Sequence, residues 1–194
     1  MNQFDTLHQI IRHRRSTKPD LMNGKKIPDA VIHQLLELAN WAPTHANTEP
    51  WRFVVLSESA VSKFCRDHAE MYRTYGDPEK FTEAKYQKQL HNGDRVSHMI
   101  ILIMQRSNPA KIPAIEEAAA VACAGQNILL GAAALGIAVL WSTGGMTGHV
   151  AMKKYLQLGE EDLVMGLLYL GYSDETPGPG RRLIPLAEKI AWKR

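Results

Sequence analysis

Arg14, Arg15 and Ser16 are the residues best equipped for chemistry in this chain. They sit within the run Arg12-His13-Arg14-Arg15-Ser16-Thr17-Lys18. Two fork-shaped guanidinium groups beside a neutral hydroxyl make a phosphate clamp. The stretch before them carries Phe4, Leu7, Ile10 and Ile11 at helical spacing. At about 100° per residue, Arg14 falls inside the arc of that apolar stripe and Arg12 well outside it. A guanidinium that continues a buried stripe needs an anionic partner, because an unpaired buried charge is costly. The positive charge that favours any helix C-terminus accounts for Arg12 and Lys18. It accounts poorly for an inward Arg14, so an anion site fits the cluster better.

The rest of the chain offers little reactivity of its own. There is no GxxxxGK[ST] and no GxGxxG after a strand, which argues against nucleoside-triphosphate and Rossmann-type sites. The eight histidines form no HExxH and no Cys-His pattern of metal-ligand spacing, so no metal site is expected. No GxSxG elbow is present. An enzyme built on this sequence therefore draws its reactivity from a bound cofactor.

Charge is nearly balanced, with 23 basic and 20 acidic residues. The one basic cluster is short and has no second stripe, so a nucleic-acid partner is not expected. Cys65 and Cys123 are the two cysteines; Cys123, in an alanine-rich run, reads as a small buried hydrophobe. Two thiols without a framework suggest a reducing, cytoplasmic setting. Asp5, His8 and Arg12 interrupt any signal-peptide pattern. The apolar stretch Ala118–Trp141 contains Gln126, Asn127 and several glycines, and reads as a buried helix plus a strand rather than a membrane span.

One domain over residues 1–194 must position the clamp. A second helix starts near Pro28 and runs to Asn40, with Val31, Leu35, Leu38 and Ala39 on its apolar face, and Pro43 stops it. The polar loop Ala42–Pro50 leads into a strand, Trp51–Leu56. Ser57 or Ser59 is placed to cap a helix reaching about His68. Residues 70–96 are charged, carry five aromatic or methionine side chains, and break at Gly76-Asp77-Pro78. They read either as two amphipathic helices forming a lid or as two ordinary surface helices. Met99–Met104 and Val164–Tyr172 are apolar on both faces and read as buried strands. Ile115–Leu135 is one long helix rich in small residues, central either to one protomer or to a dimer interface, and Gly136 ends it. Ile137–Trp141 is a strand running into the turn Ser142-Thr143-Gly144-Gly145, and a short helix begins near Thr147 or Gly148. The segment 173–194 is an arm whose late apolar residues must dock on this subunit or a neighbour.

Three patches in order give these elements a collective meaning. Arg14-Arg15-Ser16, the loop Ala42-Pro43-Thr44-His45-Ala46-Asn47-Thr48-Glu49-Pro50-Trp51, and Gly136…Leu140-Trp141-Ser142-Thr143-Gly144 resemble the nitroreductase family of FMN-dependent oxidoreductases. The likeness is strongest to its compact bacterial branch, and Gln126-Asn127 and Gly171-Tyr172 extend it over nearly the whole chain. The resemblance implies an α+β sandwich with a mainly antiparallel sheet flanked by helices. It also implies an intertwined homodimer with FMN at the subunit interface and a C-terminal arm on the partner. Arg14, Arg15 and Ser16 would then contact the FMN phosphate and ribityl chain. Thr44, His45 and Asn47 would reach the FMN of the other subunit. Trp141, Ser142, Thr143 and Gly144 would lie against the isoalloxazine, and Arg181 or Arg182 would complete the phosphate site.

The implied activity is transfer of a hydride from NAD(P)H through flavin N5 to an electron-poor acceptor such as a nitroaromatic or quinone, in ping-pong fashion. No side chain is assigned as catalytic, because the flavin supplies the chemistry. The alternative is an FMN-binding carrier, sensor or complex subunit without reductase turnover. Many family members carry Gln where this chain has Glu49, an acid that either alters pocket charge or faces solvent.

Overall fold

The computed structural model describes residues 2–194. Helix α1 (Gln3–His13) opens with a capping box in which the Asn2 side chain accepts the Asp5 N–H and Asp5 reaches back to the Asn2 N–H. Helix α2 (Asp29–Asn40) starts after Pro28, whose fixed backbone suits the entry to a helix. Strand β1 (Trp51–Ser57) and helix α3 (Ser59–Tyr75) follow, then a short 3-10 turn at Pro78–Lys80 and helix α4 (Glu83–His91). Strand β2 (His98–Met104), helix α5 (Ala114–Ala134), strand β3 (Ala138–Ser142), helix α6 (Val150–Tyr155) and strand β4 (Leu163–Gly171) complete the core.

The four strands form one antiparallel sheet in the order β1-β2-β4-β3. β2 is buried throughout and divides the core by simple alternation. Ile100, Leu102 and Met104 face a cluster with Leu35, Ala39, Ala124 and Ile128 from α2 and α5. Met99, Ile101 and Ile103 face Val61, Phe64 and Met152 from α3 and α6. The expected sandwich, with its antiparallel sheet between helices, is the observed fold. α5 is long and apolar enough to cross a membrane, yet it is the central helix over the sheet.

Near the N-terminal end of α5, Glu117 is fully buried and pairs with Arg106, whose guanidinium is largely buried too. Burial alone would raise this carboxyl. Hydrogen bonds from Arg106 and Ser107, with the Arg106 charge, outweigh it and hold the group below its ordinary value. A depressed carboxyl contributes stability above its unfolded pKa and loses it as pH falls through the folded pKa. Glu117→Gln is therefore expected to lower stability at neutral pH by about 3 kcal/mol, since it strands a largely buried guanidinium. Urea unfolding at pH 7 checks the loss, and the gap from the parent should shrink as pH drops below 4.5.

Four local expectations are corrected. α3 is longer than its apolar pattern suggested, and Glu58, at φ 49°, precedes it without any serine side-chain cap. Residues 70–96 accordingly hold the end of α3 and one separate helix, α4. α6 begins at Val150, capped by the His149 ring, which accepts the Ala151 N–H at 3.1 Å. Cys123 is exposed, because the buried stripe of α5 runs through Ala120, Ala124 and Ile128 and leaves residue 123 on the outer face.

Candidate functional site

The backbone beyond α1 decides where the clamp lies. α1 stops at His13, the Arg14 N–H caps it on Ile10 O at 3.0 Å, and Arg14 is extended. Ser16 then forms a parallel bridge with Val139 of β3, and the Thr17 N–H donates to Val139 O at 3.0 Å. Arg14 therefore does not continue the helical stripe, which corrects the geometric premise. The stripe itself is not buried in this chain either: Phe4 is 75% exposed and Leu7 and Ile11 about half.

The anion-binding expectation splits at this point. Arg14 is half-buried at a cleft of about 250 Å³ lined also by Ile10, Leu129, Ala133, Gly136 and Ser173. Its guanidinium has no hydrogen-bond or ion-pair partner among the described residues. Arg15 lines the same cleft but is already committed. It donates to the carbonyls of Arg12 (2.8 Å), Arg14 (2.7 Å) and Gly178 (3.2 Å) and packs against Gly180. It ties the arm to the end of α1. Ser16 is exposed beside Val139 with its hydroxyl free. Arg181 and Arg182 lie outside this cleft on the exposed arm, where Arg182 donates to Arg181 O.

β3 is an edge strand, so the Arg14–Ser16 segment and the Ser142–Gly145 turn lie along one sheet border. From Val139 to Ser142 is three residues of strand, about 10 Å. Gly145 sits at φ 65°, and a Cβ there would come within 2.8 Å of His68 Nε2 and 2.9 Å of Gln89 Oε1, so only glycine fits. The Gly144 N–H points to Ser142 Oγ at 3.4 Å, and the Thr147 hydroxyl donates to Gly144 O at 2.6 Å. Thr143 and Gly144 are exposed. Trp141 points the other way. Its ring packs against Gly125 and Leu102, and its Nε1–H donates to Met165 O at 3.0 Å across the bulge in β4. Gly166, at φ 153°, makes room for that ring, which leaves only the Trp141 backbone at the edge.

Beside the turn opens a second cleft, of about 470 Å³. Ser142, Gly144 and Gly145 form one wall, His68, Tyr72 and Tyr169 the floor, and Lys85, Lys88, Gln89 and Asn92 of α4 the other wall. The sequence singled out Ser142 and Gly144 of this lining but not His68, Tyr169 or the α4 residues, for which the polar stripe of α4 was the signal available. His68 is 4% exposed, and its Nε2 accepts the Met146 N–H at 2.9 Å, which fixes the proton on Nδ1. Burial drives its pKa down to about 4, so the ring is neutral at physiological pH. Gln89 Oε1 is buried without a partner, an acceptor facing a polar cavity.

The Thr44–Asn47 loop lies elsewhere. Thr44 Oγ1 contacts Thr48 Oγ1 at 3.2 Å and accepts the Glu49 N–H at 3.1 Å, so this hydroxyl shapes the loop. Ala46, Asn47 and Glu49 have positive φ and expose their side chains. The His45 ring is exposed, with Nδ1 2.5 Å from Glu116 Oε2 at the start of α5. His45 and Thr44 line a shallow cleft with Glu116 and Cys123. From Glu116 to Ala133, at the first cleft, α5 rises about 25 Å. A single chain thus brings together Arg14, Ser16 and the Ser142–Gly144 turn, but not the His45 loop.

Comparison with known proteins matches this arrangement to one family. The Nitroreductase family model covers residues 11–172. A Bacillus subtilis protein named on inference as NAD(P)H nitroreductase YfhC is 28% identical over 182 residues, 94% of this chain and 92% of that protein. The crystal structure of a nitroreductase-like family protein from Bacillus cereus superposes with a TM-score of 0.81 at 24% identity, covering 100% of this chain and 98% of that one. The FMN-dependent nitroreductase NfnB from Mycobacterium smegmatis, solved in complex with NADPH, superposes at 0.72 with 16% identity and full coverage of both chains. The family model alone spans well over half of the residues, and the chain belongs to the nitroreductase family.

Proposed function

We propose that this chain is an FMN-dependent NAD(P)H oxidoreductase that works as a homodimer with its flavin at the subunit interface. The observation that carries the reading is the alignment of two unmatched features on one strand edge. Ser16, bridged to Val139, lies about 10 Å of strand from a glycine turn that opens onto a polar cleft, and the unpartnered guanidinium of Arg14 belongs to the residue two positions further back along that edge. That is a place for a phosphate at one end and a flat heterocycle at the other. Family membership and an FMN-dependent structural relative support the same assignment.

The residues fit the cofactor by chemistry. Arg14 and Ser16 would hold the phosphate and ribityl chain with charged and neutral donors. The Ser142–Gly145 backbone would lie against the ring, with fixed N–H dipoles where negative charge develops on reduction. Gln89 Oε1 is an acceptor in want of an N–H donor. Thr44, His45 and Asn47, about 25 Å away along α5, would serve the flavin of the partner subunit. Arg181 or Arg182 would add to a phosphate site through the arm. Bound FMN would accept a hydride from NAD(P)H and pass it to an electron-poor acceptor, a nitroaromatic or quinone. The protein orients both reactants and holds the cofactor, and solvent supplies protons.

The dimer reading is supported by apolar surface this chain leaves uncovered, including Phe4, Trp41, Ile115, Leu183 and Trp192. Two unpaired cysteines support a cytoplasmic setting.

Steady-state kinetics with NADPH or NADH and a nitroaromatic acceptor test the activity. Parallel double-reciprocal lines, dependent on FMN, are expected. A protein that retains FMN but oxidises neither nucleotide is a carrier or sensor and overturns the reductase reading.

A further inference from the structure

We propose that Lys85 and Lys88 recognise an anionic group, carboxylate or phosphate, on the reactant that enters the cleft beside the Ser142–Gly145 turn. This rests on the proposed function, which makes that cleft the chamber next to the flavin. The first observation is a helix stripe of the wrong polarity. Lys85, Lys88 and Gln89 on α4, with Asn92 at its C-cap, stand at i, i+3, i+4 and i+7, the spacing at which a packed helix shows its apolar face. Here all four are polar, and all four line a concavity.

The second observation is the charge balance of that concavity. Among the described residues Asp77 is the one carboxylate on its lining, and it is paired with Lys80 at 2.9 Å. Lys85 and Lys88 have no ion-pair partner among the described residues. The opposite wall is the uncharged Ser142–Met146 segment, and His68 on the floor is neutral at physiological pH. The chamber is left with two uncompensated positive charges beside an unpaired buried acceptor, Gln89 Oε1. Ammonium groups on flexible stems suit an anion of varied geometry better than a fixed fork would. The substrate class that fits is a flat acceptor, or the nicotinamide dinucleotide, whose anionic group reaches the α4 wall.

The test uses the FMN-loaded enzyme, with 4-nitrobenzoate and its methyl ester as matched acceptors. The double variant Lys85→Gln/Lys88→Gln is compared with the parent and with Lys85→Arg/Lys88→Arg. Loss of charge-assisted contacts is expected to lower the acid-to-ester ratio of kcat/KM about tenfold. The arginine variant should restore it, and in the parent the ratio should fall with added salt. A second arm measures the Kd of NADPH from the rate of flavin bleaching. A constant acid-to-ester ratio with a Kd raised about tenfold assigns the recognised anion to the dinucleotide instead of the acceptor. Bleaching and turnover with neither quantity moved overturns the inference and leaves the oxidoreductase reading standing. A parent protein that never bleaches overturns that reading first, and this inference with it.

Discussion

Arg14→Ala is expected to purify with little flavin and to bind added FMN about 10- to 100-fold more weakly. The guanidinium is half-buried at its cleft and has no partner among the described residues, so a bound phosphate is what would compensate it. Binding followed by quenching of flavin fluorescence gives the Kd. Arg15→Ala is the informative contrast, because the Arg15 guanidinium already holds three carbonyls and its loss should loosen the arm first. Mixed dimers extend the test to the shared site. When Arg14→Ala and His45→Ala chains are combined, one of the two flavin sites at the shared interface keeps both residues intact. Such a heterodimer should bind about half the parental FMN if each flavin takes Arg14 from one chain and His45 from the other. Flavin loss from both sites would place Arg14 and His45 at the same chain's site and end the shared-site account.

Removal of residues 177–194 is expected to abolish the dimer and release FMN together. Those residues bury almost nothing against their own chain, and Leu183, Leu186 and Trp192 are each at least 70% exposed. An arm with that much apolar surface is stable in water only when another surface covers it. Among the described residues it is tied to the rest of the chain by Arg15 on the Gly178 carbonyl and Gly180. Size-exclusion chromatography with light scattering should show the truncated chain as a monomer, against a full-length species of twice 21.7 kDa. An unchanged dimer with full flavin content would show that the arm plays no part in assembly.

Much of the fold was legible because periodicity and burial agree in its central elements. β2 and β4 are sandwiched between helix layers, so their doubly apolar runs could belong only to buried strands. α5 announced itself by length, by small residues, and by Gly136 after it. The pattern failed where exposure replaced packing. α3 extends through charged residues, and its late apolar side chains Met71 and Tyr72 are buried by tertiary packing in the second core cluster, with Phe81 stacked on Tyr72. α1 shows an amphipathic stripe correctly, yet the helix ends at His13 and Arg14 is extended, so the stripe does not reach Arg14.

The candidate site was readable where backbone order matters and unreadable where side chains choose. The turn at Ser142–Gly145 follows from the strand before it and its glycines. That Arg15 would be consumed by three carbonyls, or Trp141 turned into the core beneath Gly125, depends on contacts between segments far apart in sequence. His68 and Gln89 carried no motif. Only the packing of α3 and α4 against the turn brings them to the cleft.

The most direct measurement is the visible spectrum of the desalted protein, taken before and after anaerobic addition of NADPH and then NADH. The account predicts an oxidised-flavin spectrum that bleaches with a reduced nucleotide and returns when a nitroaromatic is added. A flavin spectrum that persists with both nucleotides, or a protein that takes up no FMN at all, would contradict it.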